Sequence, residues 1–134
     1  MADKTLVILK PDAVRRKLIG EIIARIEKKN LAVTKIEMRT LNKAILSKHY
    51  VEHKEKGFFP ELVTFMSSGP VVVMEVQGRD AQVVVRNMMG ATDPAAAAAG
   101  TIRGDLGIDL GENLIHGSDS AESAERELNI FFSE

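Results

Sequence analysis

The sequence predicts an α/β fold, a sandwich of helices packed on one main sheet. Three observations carry this. Short β-rich apolar runs alternate with segments of helical periodicity, Gly, Pro and Asn residues punctuate the boundaries, and no apolar run approaches the length of a membrane span. The order read along the chain is β-α-β-α-α-β-α, a long loop, and a final helix.

Residues 5–9 (TLVIL) are a β-rich apolar run that stops at Lys10-Pro11, which predicts a buried strand. Asp12 is a good N-cap for a helix in which Val14, Leu18, Ile22 and Ile26 recur every four residues. Ile19 and Ile23 widen that stripe, and the helix ends near Lys29-Asn30. Residues 31–40 alternate roughly (Val33, Ile36, Met38) and predict a half-buried strand. Asn42 suits the cap of a helix over 43–54, and Pro60 suits the start of another through Phe65. Gly69-Pro70 precedes a strand over 71–76, and Gly78-Arg79-Asp80 makes the next turn. Asp80 is then expected to cap a helix to about Met89, closed by Gly90.

Between residues 90 and 116 the periodicity dissolves. Glycines stand at 100, 104, 107 and 111, and Thr92-Asp93-Pro94 reads as a turn. So long a loop in a compact domain is usually functional or disordered. The alanine run 95–99 favours a short exposed helix. Residues 120–132 place Ala121, Ala124, Leu128 and Phe131 on one face of the last helix. No repeat or linker divides the chain, so residues 1–134 are expected to form one domain.

Charged residues make up 28% and hydrophobic ones 45%, the profile of a soluble globular protein. A formal charge of −1 argues against a general nucleic-acid or membrane-surface binder. The absence of cysteine removes disulfides, thiolate nucleophiles and thiolate metal sites together. The start, MADKTLVILKPD, lacks the apolar core and cleavage site of a secretory signal, so a cytoplasmic protein is expected.

No P-loop G-x-x-x-x-G-K-[ST] and no G-x-G-x-x-G after the first strand is present. His49 and His53 are four apart without an evident third ligand, and read as a solvated helix face. His116, in NLIHGSDS, stands open to three readings: nucleophile, metal ligand or turn residue. An imidazole is a competent nucleophile when one nitrogen is unprotonated and a carboxylate orients the other. Glu127 can fold back to supply that carboxylate, with Glu122 and Glu125 as competitors. Ser118 and Ser120 could bridge to the site, and Ser120 better suits a helix cap. A phosphoryl group arriving there would need cations, for which Lys10, Arg86 and Arg103 are candidates at element ends. Phe58-Phe59 offers a stacking surface or core.

Together these pieces resemble the nucleoside diphosphate kinases. The carriers are TLVILKPDAVRR, GEIIARIE, HYVEHKEKGFFPELVTFMSSGPVVVMEV, RNMMGATDPAAAAAGTIRGDLG and NLIHGSDSAESAERELNIFF, in the family's order and covering nearly the whole chain. The resemblance implies a ferredoxin-like sandwich: a four-stranded antiparallel sheet with helices packed on it. The fourth strand, unread from periodicity, must then lie in 104–113 or nearby. It also implies a ping-pong transfer of the γ-phosphoryl group of a nucleoside triphosphate, typically ATP, through a phosphohistidine to a nucleoside diphosphate, maintaining NTP and dNTP pools. The residue matching the nucleophile is His116, with Glu127 orienting its ring and Ser118 supporting Glu127. Lys10 and Tyr50 match residues near the transferred group, and Arg86, Thr92 and Arg103 those gripping the triphosphate. Asn113 matches the ligand of the sugar hydroxyls. Phe58 matches the base-stacking ring, with Leu62 beside it and Leu110 on the other face. Mg²⁺ is implied as bound mainly through the nucleotide phosphates, with no direct protein ligand and Asp119 the one indirect candidate. A homotetramer or homohexamer built from dimers is implied too.

The chain departs from the family pattern at Ala95–Ala99, where a proline is common, and at Glu61 and Ala13, but no matched catalytic position is lost. Two other classes stand beside the enzyme: a nucleotide- or nucleic-acid-binding module without catalysis, and a structural assembly subunit. Turnover separates them from the first.

Overall fold

The computed structural model describes residues 3–50 and 56–132 of the chain. The elements follow in the order β1 (Asp3–Leu9), α1 (Pro11–Arg15), α2 (Ile19–Lys28), β2 (Ala32–Arg39), α3 (Lys43–His49), α4 (Phe59–Met66), β3 (Val71–Gly78), α5 (Ala81–Met89), α6 (Ile102–Leu106), β4 (Ile115–Gly117) and α7 (Ala121–Phe132). The four strands form one sheet in the order β2-β3-β1-β4, each neighbouring pair antiparallel. This is the ferredoxin-like arrangement.

β1 and β3 are central because both of their faces are covered. Successive side chains of a strand point to opposite faces. Val7, Leu9, Val72, Met74 and Val76 accordingly pack with Ile22, Ile26, Val85 and Met89 from the helices on one face. Leu6, Ile8, Val71 and Val73 join Leu46, Met66 and Phe131 on the other. A continuous apolar strand is thus the sequence's mark of a sheet sandwiched between two helical layers.

Several expectations are corrected. The first long helix is two, α1 and α2, because Lys17 takes a left-handed conformation (φ 61°) between them. Asp12 lies inside α1 rather than capping it, and its carboxylate accepts from the Leu114 backbone N–H at 3.0 Å. Asp80 is itself left-handed (φ 55°) and makes no side-chain cap. Ile36 and Met38 of β2 pair opposite Met74 and Val72 yet are 53% and 59% exposed, because β2 is an edge strand and nothing among the described residues covers that end. The alanine run forms turns, not a helix, while the glycine-bearing loop contains α6 instead. The α3 expectation holds through His49, with Asn42 Oδ1 accepting from Ile45 N at 3.0 Å, but residues 51–54 lie outside the described residues. No helix of the described residues is long and apolar enough to cross a membrane.

Gly104 shows why the loop carries its glycines. A Cβ there would collide with the backbone carbonyl of Ala98 and lie 2.8 Å from Thr101 Oγ1, the atom that caps α6. Gly104→Ala is expected to cost about 1–3 kcal/mol by overpacking, read as a lower thermal midpoint.

Candidate active site

β4 has only three residues and exists through its pairing with β1, where Ile8 faces His116. The strand is entered through Leu114, a non-glycine residue at φ 73°. Such backbone strain persists only where surroundings over-determine it. Here the Leu114 N–H donates to Asp12 Oδ2 and the Leu114 carbonyl accepts from Lys10 N at 2.8 Å. The Lys-Pro-Asp segment thereby clamps the residues just before His116.

His116 is partly exposed, at the edge of a cavity of about 200 Å³. Its Nε2 lies 3.0 Å from Glu127 Oε1. Glu127 comes from the second turn of α7 and is buried, and the same oxygen accepts from the Ser118 hydroxyl at 2.7 Å. Ser118 also accepts from the Leu6 N–H at 3.3 Å, which fastens the pair to β1. Burial alone would raise the Glu127 pKa. The hydrogen bond and charge of His116, followed by His49 and the Ser118 hydroxyl, outweigh it and hold the carboxyl below its ordinary value. An ionised carboxylate only accepts hydrogen bonds, so the contact places a proton on Nε2 and leaves the other ring nitrogen, Nδ1, turned away from Glu127.

Ser120 Oγ accepts from Ser123 N at 3.0 Å, the cap expected of it, whereas Glu122 and Glu125 are exposed. Tyr50, Arg86 and Asp119 also line the cavity. Arg86 donates to the Gly117 carbonyl at 3.3 Å. Burial, then the charge of Glu127, raises the Tyr50 hydroxyl far above its usual range, so it stays protonated.

Four more expected residues form a connected group next to β4. Lys10 Nζ donates to Asn113 Oδ1 at 2.8 Å, and Asn113 Nδ2 donates to the Thr92 carbonyl at 3.1 Å. Arg103 is 4% exposed, and its three guanidinium nitrogens donate to the carbonyls of Asn113, Gly90 and Ile115. Burial and the neighbouring Arg86 lower its pKa to about 10, still charged at neutral pH. Phe58, Leu62 and Leu110 do not line the His116 cavity. Phe58 is about half exposed before α4, Leu62 packs against the core, and Leu110 is exposed in the loop.

Three comparisons bear on this geometry. The family model described as nucleoside diphosphate kinase matches residues 3–134. The chain belongs to the nucleoside diphosphate kinase family. A relative of that name from Rubrobacter xylanophilus is 57% identical, the match covering 97% of this chain and 98% of the relative. One from Archaeoglobus fulgidus is 51% identical over 98% of this chain and 87% of its own. Among solved structures, a halophilic nucleoside diphosphate kinase from Halobacterium salinarum in complex with CDP superposes with TM-score 0.96 at 47% identity, covering 100% of this chain and 90% of that one. The apo enzyme from Encephalitozoon cuniculi gives 0.95 at 40%, covering 98% and 90%. The chain is therefore an enzyme, and the function of its family is phosphoryl transfer between nucleoside tri- and diphosphates.

Sequence reasoning missed three residues that line the kinase's cavity. Ser123 and Arg126 share a face of α7 with Glu127, at a spacing of three and four residues, and that pattern was there to be read. His49, which the sequence pattern reads as solvated, is instead 3% exposed, its ring edge-on to His116 with centroids 4.7 Å apart. Burial, then the neighbouring His116, lowers its pKa to about 3, so it is neutral. His53 lies outside the described residues.

Proposed function

We propose that His116 carries the phosphoryl group between donor and acceptor nucleotides, with Nδ1 as the attacking atom. The observation that supports this best is the 3.0 Å contact of His116 Nε2 with Glu127, which fixes the reactive tautomer and stabilises the imidazolium-like charge of the transition state. Ser118 holds Glu127 in place, and the Tyr50 hydroxyl, protonated, is a donor near the transferred group. Arg86, Lys10, Thr92 and Arg103 supply charge and donors for the phosphates, and Asn113 for the sugar hydroxyls. Phosphoryl transfer is mostly positioning and charge stabilisation, so cations of this kind suffice without a P-loop. Arg103 would have to exchange carbonyl partners for phosphate oxygens, or act through charge alone.

Phe58, with Leu62 beside it and Leu110 on the other face, is assigned to the base. Stacking reads no hydrogen-bond pattern, so the site accepts any nucleobase. Mg²⁺ neutralises charge on the transferring phosphates when bound. Of the two carboxylates on the cavity wall, Glu127 is engaged by His116 and Ser118, which leaves Asp119 beside the arginines and fits an ion held by phosphates and water rather than by a protein cage. The outer edge of β2, unpaired among the described residues and with Ile36 and Met38 exposed, supports the reading that copies of the chain associate, as dimers within a tetramer or hexamer.

The test is the intact mass of protein mixed with Mg²⁺ and ATP, followed by excess GDP. One phosphoryl group is expected to appear and then be removed by the chase. No gain, with nucleotide binding shown separately, would leave a binding protein.

Lys10 gives the reading a pH signature. Burial, then the charge of Arg103, lowers its pKa from 10.5 to about 8. The free enzyme therefore loses this cation as pH rises through about 8, and kcat/KM is expected to fall there. Stability moves the other way: between 8 and 10.5 the unfolded chain binds more protons at Lys10, so this group's contribution rises with pH. In Lys10→Arg, whose guanidinium keeps its charge, the limb is expected at higher pH.

A further inference from the structure

His49 presents a problem that phosphoryl transfer does not solve. Among the described residues, both its ring nitrogens are buried without a hydrogen-bond partner, and buried polar groups are ordinarily satisfied. Its Nδ1 is 3.8 Å from Glu127 Oε2, and one donor atom each from His49, His116 and Glu127 lie within 4.8 Å of one another. We propose that these three side chains form a site for a borderline divalent cation of the Zn²⁺ class, whose binding silences the phosphoryl-carrying histidine. Silencing rests on the reading of His116 above, whereas capture of the cation does not.

The donor set is that of an open zinc site, two imidazoles and one carboxylate beside a water-accessible cavity, and its atoms, within 4.8 Å of one another, must draw together to hold an ion. Ligands about 2.0–2.1 Å from a tetrahedral ion stand about 3.3 Å apart. The contacts of 3.0 Å from His116 to Glu127 and 3.8 Å from His49 to Glu127 bracket that separation. Imidazole donors select against Mg²⁺, which demands octahedral oxygen, so the nucleotide-bound ion does not compete for these atoms. Arg126 Nη2, 3.6 Å from Glu127 Oε2, must yield part of that contact and limits the affinity.

The chemistry of silencing balances without any further reactant. The ion takes the Nε2 lone pair of His116, and the ring's proton moves from Nε2 to Nδ1 through solvent. The atom that would attack phosphorus is then capped by hydrogen. Removing the ion returns the proton to Nε2 and the lone pair to Nδ1.

The test titrates the chelator-treated full chain with Co²⁺ as a spectroscopic stand-in. Visible bands of tetrahedral cobalt are expected, saturating at one ion per chain and displaced by Zn²⁺. His49→Gln is expected to weaken binding by about tenfold or more, since outer partners of a metal site alone contribute about 10–100-fold. Should that variant fail to fold, His116→Ala gives the same readout at a partly exposed position. Zn²⁺-loaded protein is expected to gain no phosphoryl mass until the ion is chelated. Absence of tetrahedral bands, or bands unchanged in both variants because the ion sits adventitiously elsewhere, overturns the site. Phosphorylation at the parent rate with Zn²⁺ saturating overturns the silencing. Protein that binds Co²⁺ at these residues yet never gains a phosphoryl group breaks the transfer reading and upholds the site.

Discussion

His116→Ala is expected to abolish the phosphoryl mass gain and to lower turnover on the order of 10⁴-fold or more. Among the described residues no other group replaces it: Tyr50 stays protonated, and His49 is buried with its ring edge-on to His116. Nucleotide affinity, measured by titration of the variant, is expected to change only a few-fold. Arg86 donates to the Gly117 carbonyl and Lys10 to Asn113, so neither depends on the imidazole. Transfer at the parent rate in this variant would sink the assignment of the carrier.

The second large effect is expected from Glu127→Gln. The carboxamide keeps the size of the side chain but loses the charge that stabilises the imidazolium-like state, and its NH₂ can face His116 and force the proton onto Nδ1. Phosphoenzyme formation is expected to slow on the order of 10²–10⁴-fold with nucleotide affinity nearly unchanged. The same substitution has a signature in acid. Because the folded pKa of Glu127 is depressed, its stabilising contribution is fully present above the ordinary value of 4.5 and is lost as pH falls through the lower folded value. Denaturant midpoints measured from neutral to acid pH are expected to fall less steeply in Glu127→Gln than in the parent. An unchanged slope would mean that Glu127 is not held ionised by its partners.

These residues also mark where sequence reading succeeds. His116 and Glu127 could be paired in advance because only a turn and the first two turns of α7 separate them. β1 and β3 were legible because strands buried on both faces read as unbroken apolar runs between turn residues. The failures share one cause, dependence on distant packing. The pattern of β2 is that of a half-buried strand, but exposure of Ile36 and Met38 depends on which helices reach the sheet edge. Three residues are too few for β4 to show a period, and its register comes from β1, over a hundred positions away. Asp12 and Asp80 look like caps locally, yet one is drawn to the Leu114 amide and the other sits in a left-handed turn. Arg103 looked like a free cation in a loop, and its three carbonyl partners are assembled only when α6 and β4 meet. His49 was misjudged because the face of α3 that carries it is covered by α7.

The clamp between Lys-Pro-Asp and Leu114 joins segments more than a hundred positions apart. Glu127, which contacts His116, lies farther still along the chain from Lys10 and Asp12. Such long-range closure is slow compared with local helix formation. β1 and β3 pair with each other through contacts that do not involve β4, so the His116 cavity depends on a separate closure of the chain. Loss of the Asp12–Leu114 contact would therefore disturb the surroundings of His116 before it disturbed the pairing at the centre of the sheet.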